Sequence, residues 1–322
     1  MTAVLPHLIL YFPTAAAVLP HDGDAKPPDR IHHDFPDHLP AGVRSLIGSR
    51  CERFQPPALP YDRQHFAFTH VPKMGGTSMQ VFLQRVARRA GKVVFNVRTQ
   101  AKALNLTMDQ MRKRASGADV LIGHAPIWWE EQAKSLNWRG GNFSRVTMMR
   151  DPIDTIQSGF RYNKGDPASR IRAIYAQNLT LQQGYQKFLE EMCYLRADGT
   201  CRNKASNMMA YHSPVEESTV EDVMLNVVRG YAVVGMLNRL AETLEVMKCR
   251  LPWVGSHLPQ DFPHANQAPY PMRLKDDMKL MQDMVADEIQ LFVLANLILS
   301  ADVACCRAAA RGIVGHAHQH LT

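Results

Sequence analysis

Lys73, Gly75, Gly76, Thr77 and Ser78 lie within the short stretch KMGGTS. It follows the apolar, β-favouring run HFAFTHV and precedes the helical pattern MQVFLQRVARRA. Residues of these types, at the point where a strand becomes a helix, suit an anion. The first turn of a helix offers unpaired N–H groups and the positive end of the helix dipole. Glycines let the backbone come close to a ligand, and a Lys adds a full charge. The arrangement differs from the P-loop of the nucleotide triphosphatases, whose Lys follows the second Gly. Here Lys73 precedes both glycines. A tight βα turn with a Thr or Ser cap is the competing reading.

A second set lies in VTMMRDPIDTIQSGFRY, residues 146–162. Arg150 falls at the carboxyl end of an apolar strand, where open α/β sheets bind ligands. Asp151 and Pro152 open a helix, and Ser158 follows Arg150 by eight residues, two turns into it. An Arg fork and a hydroxyl together suit a phosphate dianion. The alternative is an Arg paired with Asp151 or Asp154 and a Ser facing solvent.

The elements that would position these residues alternate between strand and helix. Strands are expected over 65–71, 92–97, 119–124, 144–149 and 231–236, from apolar runs bounded by turn signals. Helices are expected from the first loop through about Ala90, over 107–115 with Thr107 as cap, and over 151–162. A helix is also expected to start near Trp128 and Trp129. In the second half, helical spacing covers 181–192, 203–212 and 216–230, a helix through Lys248, and a last one from about Arg273 to Leu299. The expected fold is α/β, a P-loop-like three-layer arrangement with a mainly parallel central sheet flanked by helices. Residues 1–20 form an apolar segment, 21–64 a Pro-, His- and Asp-rich stem or linker, 65–300 the folded domain and 301–322 a tail.

With 322 residues, 46% hydrophobic and 21% charged, the chain reads as globular. A formal charge of +7 suits an anionic ligand or an acidic polymer. There is no Lys/Arg block and no recognition-motif spacing, so nucleic acid is not an expected partner. None of the six cysteines sits in a C-x-x-C pair, so no zinc site is expected. Cys193 and Cys201 bracket the turn-forming YLRADGT; they read as a local disulfide in an oxidising compartment, or otherwise as two free thiols. Asn105, Asn142 and Asn178 begin glycosylation triplets, which matter only in a secretory protein. Residues 3–20 are long and apolar enough for an anchor or signal core, yet hold Pro6, Pro13 and Pro20 and follow no Lys or Arg. Signal peptide, weak anchor and remnant of an incomplete start stay open. No other segment is expected to span a bilayer.

Taken together, PKMGGTS after a first strand and RDP with Ser158 beyond it resemble the cofactor signature of the sulfotransferases that use 3′-phosphoadenosine 5′-phosphosulfate (PAPS). Within that superfamily the chain resembles the carbohydrate sulfotransferases, particularly the heparan sulfate and uronyl 2-O-sulfotransferase group. LIGHAP places His124 at a strand end 26 residues before Arg150, the Cys193–Cys201 spacing matches a local disulfide of the group, and YAVVGMLNRLAETLEVMK resembles its late strand and helix. The likeness runs over about residues 65–300, strong in the two cofactor motifs and loose elsewhere. The group often shows a His-x-His pair; position 122 is Ile here, so only His124 matches, which leaves the acceptor open.

The resemblance implies that Lys73, Gly75, Gly76, Thr77 and Ser78 hold the 5′-phosphosulfate, and that Arg150 and Ser158 hold the 3′-phosphate. It implies His124 as the base that takes the acceptor's proton, with Lys73 neutralising charge on the departing bisphosphate. It implies no metal, a glycan acceptor, acidic or neutral, and a Golgi or secretory-lumen location with membrane attachment through the N-terminus. A silent glycan- or nucleotide-binding relative and a P-loop small-molecule kinase are the alternatives. Glu130 and Glu131 are fallback bases. Arg85, Arg88, Arg89, Arg161, Lys164, Arg170 and Arg172 either border a groove for an acidic glycan or form solvated helix faces. His264 and Asn266 belong to a polar loop that could touch cofactor or acceptor. His316, His318 and His320 do not read as a metal site.

Overall fold

Parallel strands buried on both faces read as continuous apolar runs, and five such runs form the central sheet. They are β1 (Phe66–Thr69), β2 (Val94–Asn96), β3 (Val120–Gly123), β4 (Ser144–Met149) and β7 (Tyr231–Met236). All pair in parallel, in the order β2–β3–β1–β4–β7. The computed structural model describes residues 39–53, 65–96, 106–123, 143–164, 179–195, 201–203, 207–213, 218–255 and 278–311. Alternate residues of a strand face opposite ways. Phe66, Phe68, Val120 and Ile122 accordingly enter one apolar cluster, while Ala67 and Leu121 pack with Phe95, Ala115, Ala118 and Phe143 in another. The expected α/β architecture with flanking helices is the one observed.

In chain order the helices are α1 (Ala41–Gly48), α2 (Arg50–Arg53), α3 (Gly76–Arg89), α4 (Met108–Ser116), α5 (Pro152–Lys164), α6 (Leu181–Met192), α7 (Asn207–His212), α8 (Val220–Gly230), α9 (Leu240–Arg250), α10 (Pro252–Gly255) and α11 (Met278–Ala310). Thr107, Thr180 and Thr219 start α4, α6 and α8 with reciprocal capping boxes to Gln110, Gln183 and Asp222. Gly235 lets α9 press onto β7: a Cβ there would lie 2.4 Å from Thr243 Cγ2 and 2.5 Å from Met148 Sδ. The Thr243 hydroxyl accepts the Met236 N–H at 2.9 Å, fixing that approach.

Several expectations need correction. The expected stem contains α1 and α2, whose Val43 and Arg50 are fully buried. Their polar, Pro-rich surroundings hid them; packing, more than intrinsic propensity, makes such short helices. The expected tail begins inside α11, which continues to Ala310 and buries Val303, Cys305 and Cys306. Cys193 and Cys201 begin two unforeseen short strands, β5 (Cys193–Leu195), which takes in Tyr194 and Leu195 of YLRADGT, and β6 (Cys201–Asn203), paired antiparallel with Cys193 opposite Asn203 and Leu195 opposite Cys201; residues 196–200 lie outside the described residues. Cys193 is disulfide-bonded; the side chain of Cys201 lies outside the described residues. Contrary to expectation, Asp283–Ala310 is by length and composition apolar enough to cross a membrane. Its residues Leu291, Leu294, Ile298, Asp302 and Val303 are instead buried against the rest of the fold, which identifies a core helix.

Two disulfides tie α11 to distant parts of the chain, Cys51–Cys305 and Cys249–Cys306. Between them lies a fully buried ion triad. Arg50 donates to both Asp302 oxygens at 2.9 and 2.8 Å, and Arg250 does so at 2.8 and 2.7 Å. Arg50 also donates to the carbonyls of Val228 and Tyr231 at 2.7 and 3.0 Å, so the second positive charge is partly satisfied by backbone dipoles. Disulfides persist mainly in oxidising compartments.

Candidate functional site

β1 leads outward to the sheet edge at β2, whereas its two neighbours, β3 and β4, lie on either side of it. The direction of travel along the sheet thus reverses around β1, and open α/β sheets leave a ligand crevice beyond the carboxyl ends of strands at such a reversal. Thr69 of β1 is in register with Thr147 of β4. Lys73 follows the first by four residues and Arg150 follows the second by three, so both sequence motifs leave the sheet on the same edge.

The loop after β1 is tightly wound. Lys73 adopts φ 65°, the only positive φ of a non-glycine among the described residues, and Gly75 adopts φ 75° as the N-cap of α3. Met79 N–H donates to the Gly75 carbonyl at 3.0 Å, closing the first turn. The N–H groups of Gly76 and Thr77 precede that bond, in the first turn, where helix geometry supplies no i→i−4 acceptor. The glycines also serve packing. A Cβ on Gly76 would lie 1.8 Å from His70 Cδ2, and one on Gly75 would lie 2.7 Å from Leu237 Cδ1. His70, at the end of β1, and Leu237, just past β7, therefore hold the loop down. Sequence reasoning missed both; neither residue type announces a packing partner that far along the chain.

The two cationic residues meet. Arg150 Nη1 donates to the Lys73 carbonyl at 3.5 Å. Burial, and then the charge of Arg150, lower the half-buried Lys73 ammonium to about 8. The alternative considered for Arg150 is also present: Arg150 Nη2 stands 3.7 Å from Asp154 Oδ2, whose side chain is 52% exposed. An exposed pair of that length is weak and exchangeable. Asp151 caps α5, its Oδ1 accepting the N–H groups of Ile153 and Asp154 at 2.9 and 3.2 Å. Burial raises its carboxyl above the ordinary range, opposed by those two bonds. Ser158 is half-buried on α5, in the helix that Asp151 starts.

His124, the expected base, lies outside the described residues. Its neighbour Gly123 ends β3 and accepts the His70 N–H at 2.9 Å, so β3 ends beside the start of the anion loop. Trp128, Trp129, Glu130, Glu131, Arg170, Arg172, His264, Asn266, His316, His318 and His320 also lie outside, as does the side chain of Lys164. Arg161 is half-buried on α5. Arg85, Arg88 and Arg89 are exposed on the far half of α3. At 1.5 Å per residue, Arg88 is about 18 Å along the axis from Gly76. These three are poorly placed to border a groove at the loop; Arg88 and Arg89 complement the negative end of the helix. Among the described residues no cluster of His, Cys, Asp and Glu could hold a metal.

Behind the site a buried polar chain crosses the sheet. His212 Nδ1 is 3.0 Å from the Tyr231 hydroxyl, which is 3.4 Å from Thr69 Oγ1. Thr147 Oγ1 donates to the Thr69 carbonyl at 3.2 Å. Burial, and then Arg145, push His212 down to about 3, so it is neutral. Its Nδ1 answers the Tyr231 hydroxyl, which links the ring to Thr69.

Compared with known proteins, the chain matches no family model and no curated protein sequence.

Proposed function

We propose that the chain is a PAPS-dependent sulfotransferase that moves a sulfuryl group to a hydroxyl of a carbohydrate. One observation carries the reading: the Arg150 guanidinium reaches the backbone carbonyl of Lys73, 77 residues away, at 3.5 Å where the sheet reverses direction. A doubly phosphorylated adenosine needs two cationic grips on one edge of the sheet, and the loops after β1 and β4 supply them. The kinase alternative lacks support from the loop, because Lys73 precedes the glycines instead of following them.

In this reading the N–H groups at the start of α3 and the Lys73 ammonium hold the 5′-phosphosulfate. Arg150, with Ser158, exchanges its exposed partner Asp154 for the 3′-phosphate. The acceptor hydroxyl attacks sulfur in line, His124 takes its proton, and Lys73 stabilises the negative charge that builds on the departing bisphosphate. Alignment and charge stabilisation carry the reaction, as in phosphoryl transfer. The acceptor can be a sugar, a tyrosine or a small alcohol in chemical terms; the net charge of +7 favours an acidic glycan. The disulfides accord with a secretory lumen, and the Golgi is the compartment this activity would occupy.

The test is incubation with PAPS and a panel of desulfated glycans, followed by mass measurement. Sulfate gain by one glycan is expected. His124→Ala should then lose about a hundredfold or more in turnover while still binding adenosine 3′,5′-bisphosphate. Bisphosphate binding without transfer to any acceptor would favour a silent relative; phosphate gain with ATP would favour a kinase.

A further inference from the structure

We propose that His70 is a positioning residue for the anion loop, the template against which the first turn of α3 is set. The inference rests on the reading of that loop as the 5′-phosphosulfate grip. The ring of His70 fills the volume that a side chain at Gly76 would take: a Cβ there would lie 1.8 Å from Cδ2, 2.3 Å from Nε2 and 2.8 Å from Cγ. Gly76 is the first residue of α3 and has no positive φ, so its backbone would accept Ala; the three atoms nearest to an added Cβ all belong to the imidazole. One turn further on, Gln80 Oε1 stands 3.3 Å from His70 Nδ1. The ring therefore meets α3 at two points one turn apart, and it stacks with the Phe68 ring, centroids 6.0 Å apart. The main chain of His70 is fixed to the sheet through the Gly123 carbonyl. The residue is 2% exposed.

His70 thus joins three things the chemistry needs in register: the end of β3 that precedes His124, the end of β1 that leads to Lys73, and the N–H groups that open α3. A side chain wedged between a strand end and a helix start sets their separation. Displacement of about 1 Å in such a site costs up to a hundredfold in rate or binding.

Steric compensation tests this. Adenosine 3′,5′-bisphosphate affinity is measured for wild type, Gly76→Ala, His70→Ala and the double variant, with melting temperatures for all four. Gly76→Ala should weaken binding at least tenfold, because its methyl displaces the ring. His70→Ala should weaken it several-fold, because the turn loses its template. The double variant should bind more tightly than Gly76→Ala alone, the methyl occupying the vacated space. Single losses that simply multiply in the double variant would overturn the positioning role and leave the functional reading intact. If wild type binds no bisphosphate, the functional reading falls. Amide exchange over residues 76–80 then decides: at least tenfold faster exchange in His70→Ala, slowed again in the double variant, supports the template; unchanged exchange overturns it.

Discussion

Lys73 shows how far a residue can be read from its neighbours in sequence and where that stops. Its place before two glycines pointed to an anion; its left-handed backbone and its contact with Arg150 needed the fold. The ammonium, lowered to about 8 by burial and Arg150, is charged at pH 7 and mostly neutral at pH 9. Anion binding needs the charged form, so bisphosphate affinity should fall by up to tenfold per pH unit above about 8. Lys73→Arg should flatten that profile, and Lys73→Met should cost about 1.5–3 kcal/mol of binding at pH 7; a flat wild-type profile would contradict the assignment. His212 gives a prediction of opposite kind. Its folded value of about 3 lies below the ordinary 6.5, so the unfolded chain binds the extra proton between those values. Stability contributed by neutral His212 is present above about pH 6.5 and is lost as pH falls below it, by about 1.4 kcal/mol per unit. Urea unfolding at pH 7 and pH 5 should show the drop, and His212→Phe should reduce the slope; equal slopes would remove His212 from the account.

At the scale of elements, the five strands and most helices were legible because their patterns are local. β4 and β7 are apolar runs bounded by turns, and the Thr107 cap announces α4. Helices α1 and α2 were not legible, because the partners they pack against are about 180 to 250 residues away. Arg50 reaches Asp302, and Cys51 is bonded to Cys305, a sequence separation of 254. The same clasp fixes what α11 is: an apolar helix whose buried Asp302 carboxylate is answered by two guanidiniums. Asp302→Ala should leave Arg50 and Arg250 buried and facing each other, lowering unfolding free energy by about 3–5 kcal/mol in a denaturant titration. Replacing all three by Met, Met and Leu should recover much of that loss. A chain starting at residue 39 should fold and one starting at residue 65 should not, as judged by a cooperative melt; a normal melt of the shorter chain would return α1 and α2 to the status of a stem.

At the scale of the whole molecule, alternation of strands and helices was enough to expect the layered α/β fold, but the order β2–β3–β1–β4–β7 was not written in any one segment. That order places the loop after β1 beside the loop after β4, and the account depends on it. The net charge of +7 pointed to an anion without locating it, and Arg85, Arg88 and Arg89 turned out to decorate the far end of α3. The central claim is that two separate loops grip opposite ends of one nucleotide. Calorimetric titration of adenosine 3′,5′-bisphosphate and adenosine 5′-phosphate against wild type, Lys73→Met and Arg150→Ala tests it most directly. The account predicts that Lys73→Met weakens both ligands, while Arg150→Ala weakens the bisphosphate more than tenfold and leaves the monophosphate nearly unchanged. Equal losses for the two ligands in Arg150→Ala, or no binding of the bisphosphate by wild type, would contradict it.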